Sequence, residues 1–290
     1  MKDTLPRDQL IQFLQNKAAD MRANVVKLTH IAGSGHIGGS LSILDILVTL
    51  YYSVLKYDAK NPQWPERDRF ILSKGHGCIG LCPVLADVGY FPVEMLDTFN
   101  HLDSCFGMHP DGKKIPGVEI STGSLGHGLS IAVGIALAAR LDHAKHRIYC
   151  LMGDGELDEG MIWEAAMSAA HYKLGNLVGI VDRNGLSLDG KTEDVMALEP
   201  LAQKWEAFGW RVCQIDGHSF EELLDTFAKL PGSDDRQPTV IIAKTVKGKG
   251  VSFMENTIDW HYGNLDDKLR DQVLAELLSK RPLSQGGQHG

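Results

Sequence analysis

The sequence predicts an α/β protein built on a parallel sheet with helices on both faces. Five short apolar runs, Arg69–Leu72, 147–152, 177–182, Arg211–Asp216 and Thr239–Lys244, lack the in/out alternation of a half-exposed sheet and resemble strands covered on both sides. Helix-length apolar segments lie between them, near 77–88, 126–141, 161–171 and 220–230. With 290 residues, 43% of them hydrophobic, the chain is long enough to bury roughly three quarters of its unfolded surface.

The elements follow in order. A first helix over 7–29 places Leu10, Ile11, Leu14, Ala18, Met21, Val25 and Leu28 at offsets of three and four, on one face. A glycine-rich loop, 30–40 (HIAGSGHIGGS), separates it from a second apolar helix reaching about Tyr52. Strands and helices then alternate. The tail 284–290 (SQGGQHG) reads as disordered. No Pro/Gly/Ser-rich linker divides the chain, so one domain over 1–290 is expected.

Composition excludes several functions. Lys and Arg number 29 against 37 Asp and Glu, a net charge of −8, which disfavours nucleic acid and anionic membrane surfaces. Apolar runs such as 41–50 and 131–139 fall short of the ~20 residues of a bilayer span. The first ten residues carry acids and a proline instead of a secretory signal's apolar stretch. Five cysteines without zinc-ligand spacing fit idle thiols in a reducing cytosol, so a cytoplasmic location is expected.

The strand at 147–152 runs into Gly153-Asp154-Gly155, and the strand at 177–182 is followed by Asn184, thirty residues beyond Asp154. That is about one βαβ unit. Parallel strands open their carboxyl ends on the same edge, so Asp154 and Asn184 can face each other there. One carboxylate and one amide oxygen make an under-charged cage that suits Mg²⁺ completed by phosphate oxygens. On GDG alone, a tight turn followed by an unrelated asparagine fits equally well. Five histidines, His36, His76, His109, His127 and His261, lie in glycine- or aromatic-flanked loops, where imidazole can bond phosphate or hydroxyl oxygens. The turn 121–128 (STGSLGHG) leaves room for a flat ligand against the backbone.

With these loops in order, the chain resembles the N-terminal half of transketolase from its first helix to about Leu265, in particular the form encoded by two chains. The resemblance implies thiamine diphosphate and Mg²⁺ as cofactors, the metal held by Asp154, Asn184 and the carbonyl of Leu186. It implies that Gly155, His76 and His261 contact the diphosphate and that Gly123 and Leu125 line the cofactor rings. His36, His109 and His261 match histidines that handle substrate near the reacting carbon. Glu159 matches an acid linking neighbouring cofactor sites, and 247–256 (KGKGVSFMEN) a segment closing over the cofactor. The His36 loop reads HIGG where single-chain transketolases usually have proline after the histidine, and Ser124 and His127 stand where their later turn has proline and glutamine; both departures bear on substrate preference.

The family's activating glutamate lies in its next domain, and no glutamate here sits in a matching motif. The resemblance therefore implies a partner, a C-terminal transketolase subunit supplying that glutamate and most sugar-phosphate contacts, in an α2β2 heterotetramer. The implied reaction moves a two-carbon ketol unit from a ketose phosphate to an aldose phosphate, as in the pentose phosphate pathway or in branched-sugar breakdown. Two alternatives stay open here: a deoxyxylulose-phosphate or dihydroxyacetone synthase subunit, and a solitary cofactor-binding protein. The small residues Ala165, Ala166, Ser168 and Ala169 suggest a subunit contact or ordinary packing on the sheet.

Overall fold

Arg69–Leu72 (β1), Ile148–Gly153 (β2), Leu177–Arg183 (β3), Arg211–Asp216 (β4) and Thr239–Lys244 (β5) form one sheet in the order β1-β2-β3-β5-β4. Every neighbouring pair is parallel. The computed structural model describes residues 5–281, and the tail expected at 284–290 lies outside the described residues.

Ten α-helical segments accompany the sheet among the described residues: Arg7–Ile31 (α1), Ile37–Leu41 (α2), Leu44–Thr49 (α3), Cys78–Asp87 (α4), His127–Leu141 (α5), Gly160–His171 (α6), Thr192–Val195 (α7), Leu201–Ala207 (α8), Phe220–Ala228 (α9) and Asp267–Ser279 (α10). Tyr149, Leu151, Val178, Ile180, Ile241 and Ala243 project into one core with α1 to α4, α9 and α10. Ile71, Ile148, Cys150, Met152, Val181, Val240 and Ile242 project into the other with α5, α6 and α8. Both faces are therefore covered, as continuous apolar strands require.

Burial on both faces fails for β4, whose residues are half-buried or exposed. Among the described residues β4 is an edge strand paired only to β5, so its outer side has less to pack against. The second helix is also not continuous. It divides into α2, α3 and a π-helical turn, Leu50–Val54. Ser40, Ser42 and Thr49 hydroxyls donate to the carbonyls of His36 (2.8 Å), Gly39 (3.1 Å) and Asp45 (2.8 Å), a local competition that bends helices. Residues Ile37–Val54 have mean hydropathy 1.5 over 18 residues, apolar and long enough to cross a membrane, yet 83% of the stretch is buried in the protein. Its apolar character serves the core here.

The sequence reading missed α10, although its signals are present. Asp266 caps it by accepting from the Leu269 N–H (2.8 Å), and Leu269, Val273 and Leu277 recur every four residues toward the core that α1 covers.

The register decides where chemistry can sit. Gly153 pairs with Asp182, and Arg183 with Lys244, so β2, β3 and β5 end together. Ser73, Asp154, Asn184 and Thr245 all begin loops on that one edge.

Candidate functional site

A cavity of about 350 Å³ opens beyond these strand ends. His36, His76, His109, Gly123, Leu125, Asp154, Gly155, Asn184, Leu186 and His261 all line it, so the residues expected to hold metal, cofactor and substrate come to one place. The His36 ring lies 5.3, 5.8 and 5.5 Å from the rings of His76, His109 and His261. The remaining loop histidine does not join them. His127 is exposed at the start of α5, with Nδ1 at 3.1 Å from the Leu125 carbonyl. Glu159 is exposed outside the cavity, packed against Gly126.

Asp154 is 1% exposed and has three partners. Oδ1 accepts from the Gly155 N–H (2.9 Å), while Oδ2 accepts from the Gly185 N–H (2.6 Å) and Arg183 (3.2 Å). Burial, followed by the charge of Asp182, pushes its carboxyl up, so an arriving cation would favour the ionised form. Asn184 donates from Nδ2 to Asp182 (3.1 Å) and accepts at Oδ1 from the Leu186 N–H (3.1 Å). The third expected metal ligand, the Leu186 carbonyl, accepts from the Lys247 ammonium (3.2 Å). That ammonium places a positive charge on one donor of the expected set. The set has one carboxylate, and among the described residues no three His, Cys, Asp or Glu side chains form a metal cluster. Such a set fits a dication whose remaining ligands are phosphate oxygens.

Two lysines supply positive charge. Lys74 is 1% exposed, its Nζ bonded to Asp182 (2.6 Å) and to the Gly39 carbonyl (2.9 Å). Burial pushes the Asp182 carboxyl up, but Lys74 with the Thr245 and Ser42 hydroxyls holds it below its usual range. Lys247 is 2% exposed and, among the described residues, makes no ion pair. Its Nζ donates to the carbonyls of Leu186 and Ser187 (2.8 Å) and to His261 Nδ1 (2.9 Å). Burial and the nearby Lys74 lower it to about 8. Its three N–H donors thus all meet neutral acceptors, and its charge is matched by no carboxylate among the described residues, a buried positive charge that an anion would stabilise.

The cavity imidazoles are neutral near pH 7. Burial, with cationic neighbours, lowers His36 to about 4 and His261 to about 3, and holds His76 well below its usual value; burial lowers His109 as well. An ammonium can only donate, so His261 Nδ1 accepts and its proton sits on Nε2. His36 Nδ1 is buried with no hydrogen-bond partner among the described residues.

These depressed values fix a pH dependence. A histidine whose folded pKa is low binds more protons when unfolded, so stability is fully present above about 6.5 and falls as pH drops toward 4. The melting temperature of the cofactor-free chain should therefore decline between pH 7 and 5. His36→Asn should flatten that decline in a thermal scan; an unchanged slope would count against a buried neutral His36.

Three residues that organise the site escaped the sequence reading. Glu156, 2% exposed, accepts from the Ser73 hydroxyl and from the Gly126 and Gly153 N–H groups (3.0 Å each), joining three loops through one carboxylate. It fixes Gly126, which adopts φ +84°, where a Cβ would stand 2.7 Å from that of Glu159. A Cβ on Gly123 would stand 3.1 Å from the His109 ring, so glycine there lets the turn pack closely on that histidine. Arg183 ties Asp154 to Thr192 (2.6 Å), Glu193 (2.8 Å) and Glu199 (3.1 Å). Lys74 is the third. Residue type was the only available signal, since partners such as Asp182 for Lys74, Ser73 for Glu156 and Asp154 for Arg183 lie 108, 83 and 29 residues away.

Comparison with known proteins agrees with this geometry. Residues 14–277 match the family described as transketolase, thiamine diphosphate binding domain. The chain is 44% identical to the 6-deoxy-6-sulfo-D-fructose transketolase subunit SqwG of Clostridium sp. (strain MSTE9), over 91% of this chain and 96% of that one. It is 46% identical to an apulose-4-phosphate transketolase subunit of Actinobacillus succinogenes, over 86% and 90%. The crystal structure of transketolase from Campylobacter jejuni superposes with a TM-score of 0.86 at 34% identity, covering 92% of this chain but only 43% of that chain. The chain thus spans less than half of the solved transketolases it matches and nearly the whole of the relatives named as subunits. It belongs to the transketolase family, where it corresponds to the thiamine-diphosphate-binding subunit of the two-chain form.

Proposed function

We propose that this chain binds thiamine diphosphate through Mg²⁺ held by Asp154, Asn184 and the Leu186 carbonyl. With a separate C-terminal subunit it transfers a two-carbon ketol unit from a ketose phosphate to an aldose phosphate. The observation that carries this reading is the single cavity in which the metal set, two buried ammonium groups and four neutral histidines converge. Bound thiamine diphosphate supplies a nucleophilic carbon for attack on the ketose carbonyl. The chain's own residues bind, orient and exchange protons around it. Lys247, with His76 and His261 beside it, meets the diphosphate charge. Gly123 and Leu125 give the rings a flat wall. His36 and His109, neutral and able both to donate and to accept, orient substrate hydroxyls and exchange their protons.

A partner is supported by what the cavity lacks. Among the described residues that line it, the lysines are both engaged inside, and no arginine meets the distal anion of a sugar phosphate. Leu188, Val195 and Tyr262 are 58%, 45% and 46% exposed around the cavity or beside His36, apolar surface suited to a second chain. An α2β2 heterotetramer is the symmetric way to close two such sites. The relatives' names carry a 6-sulfo sugar and a 4-phosphate sugar, so ketoses with a terminal anion form the proposed donor class. We place this activity in the cytoplasm.

The test is ketol transfer with thiamine diphosphate and Mg²⁺. The chain alone should be folded and inactive, and a glutamate-bearing partner subunit should restore turnover. Full activity without any partner would refute the half-site reading. In the complete enzyme, His36→Ala and His109→Ala should leave cofactor affinity near normal and lower kcat/KM by roughly 10²–10⁴. Loss of cofactor binding with normal turnover at saturation would reverse those roles.

A further inference from the structure

Lys247 lies in the loop after β5, so its position depends on what holds that loop. Within the site edge, the Thr245 N–H donates to the Arg183 carbonyl (3.1 Å) and the Gly248 N–H to that of Gly38 (3.0 Å). A second set of ties comes from side chains that do not line the cavity. Asp45 on α3 is 3% exposed, and its Oδ2 accepts from Arg22 Nη2 (2.6 Å) and from His218 Nδ1 (2.6 Å). Burial pushes the Asp45 carboxyl up, but the Arg22 guanidinium and the bond from His218 outweigh it and hold the group at about 2.

An ionised carboxylate can only accept. The His218 proton must then sit on Nδ1, which leaves Nε2 with a lone pair, and Nε2 accepts the Val246 N–H at 2.9 Å. Arg22 Nε meanwhile donates to the Lys249 carbonyl (3.3 Å), and the Arg22 side chain packs so close to Gly250 that a Cβ there would stand 3.0 Å from its Cδ. Residues 246 and 249 bracket Lys247, and both connect to the one carboxylate of Asp45.

We infer that Arg22, Asp45 and His218 form a positioning network for Lys247, in which Asp45 selects the His218 tautomer that holds the Val246 N–H. The inference rests on the functional reading in which Lys247 meets the cofactor diphosphate. Asparagine at position 45 both donates and accepts, so it would permit either tautomer. In the wrong one, two N–H groups would face each other at Val246.

The full chain is tested as wild type, Asp45→Asn, His218→Gln and His218→Met. Hydrogen exchange at the Val246 amide and calorimetric titration with thiamine diphosphate and Mg²⁺ are measured on each. Nitrogen-15 spectra of the wild type should place the His218 proton on Nδ1. Asp45→Asn and His218→Met should speed Val246 exchange and weaken cofactor affinity about tenfold, the worth of roughly one hydrogen-bonded anchor. His218→Gln can offer Oε1 to the Val246 N–H and should stay within about twofold of wild type. A merely structural role would treat the Gln and Met variants alike.

A His218 proton on Nε2 in the wild type, or wild-type affinity in His218→Met, would overturn the inference. If Asp45→Asn fails to fold because Arg22 loses its partner, the His218 pair and the wild-type spectrum decide the matter. Failure of the wild type to bind thiamine diphosphate would instead overturn the functional reading, while faster Val246 exchange in His218→Met would still uphold the clamp.

Discussion

Asp154→Ala should abolish Mg²⁺-dependent binding of thiamine diphosphate. Asp154 is the only carboxylate in the proposed metal set, beside one amide oxygen and one carbonyl. Without it the remaining protein donors are neutral and an ammonium lies on one of them, so no side chain of the set opposes the charge of a dication. The expected loss of affinity is at least on the order of 10³-fold, the scale of an uncompensated ionic contact in a dry site. Asp154→Asn separates charge from shape, because the amide oxygen can still accept from Gly185. It should keep the fold and lose the metal. Calorimetry finding wild-type affinity in Asp154→Ala would remove the metal assignment.

The largest effect on stability should come from Lys74→Met. Lys74 and Asp182 have side chains only 2% and 0% exposed, and their charged atoms stand 2.6 Å apart. Removing the ammonium strands a carboxylate in the core, which costs about 3–5 kcal/mol. Chemical denaturation should show that loss, and adding Asp182→Asn to the same chain should recover part of it. Equal stability of Lys74→Met and wild type would mean the pair adds nothing beyond packing. The Asp182 carboxylate also accepts from Ser42 (2.7 Å), Asn184 (3.1 Å) and Thr245, so its loss should loosen four loops together.

Much of the site was legible because its residues belong to short local patterns. Gly153-Asp154-Gly155 follows a strand, and Asn184 follows the next one; parallel pairing brings such positions to the same edge. The histidine loops were equally visible, each marked by glycines or aromatic residues. The second helix was misjudged because apolar content hid hydroxyls that bond their own backbone. β4 was misjudged because an apolar run does not say whether a strand stands at the edge or the centre. Lys74, Glu156 and Asp45 gave no local signal. Lys74 meets a partner 108 residues away, Glu156 one 83 away and Asp45 one 173 away.

The chain by itself determined the parallel α/β plan, the Gly153-Asp154-Gly155 loop and the loops that carry the cavity histidines, with His127 as the one loop histidine that stays outside. Apolar periodicity and glycine placement act over a few residues, and strand direction carries them to one edge. Only the tertiary structure decided which charges those residues feel. Burial and distance hold the cavity imidazoles neutral, seat Lys247 on the Leu186 carbonyl, and make one carboxylate at Asp45 select a tautomer at His218. Desolvation and Coulomb forces depend on the spatial distance between groups and on the water excluded from between them, and neither quantity exists until the chain has folded.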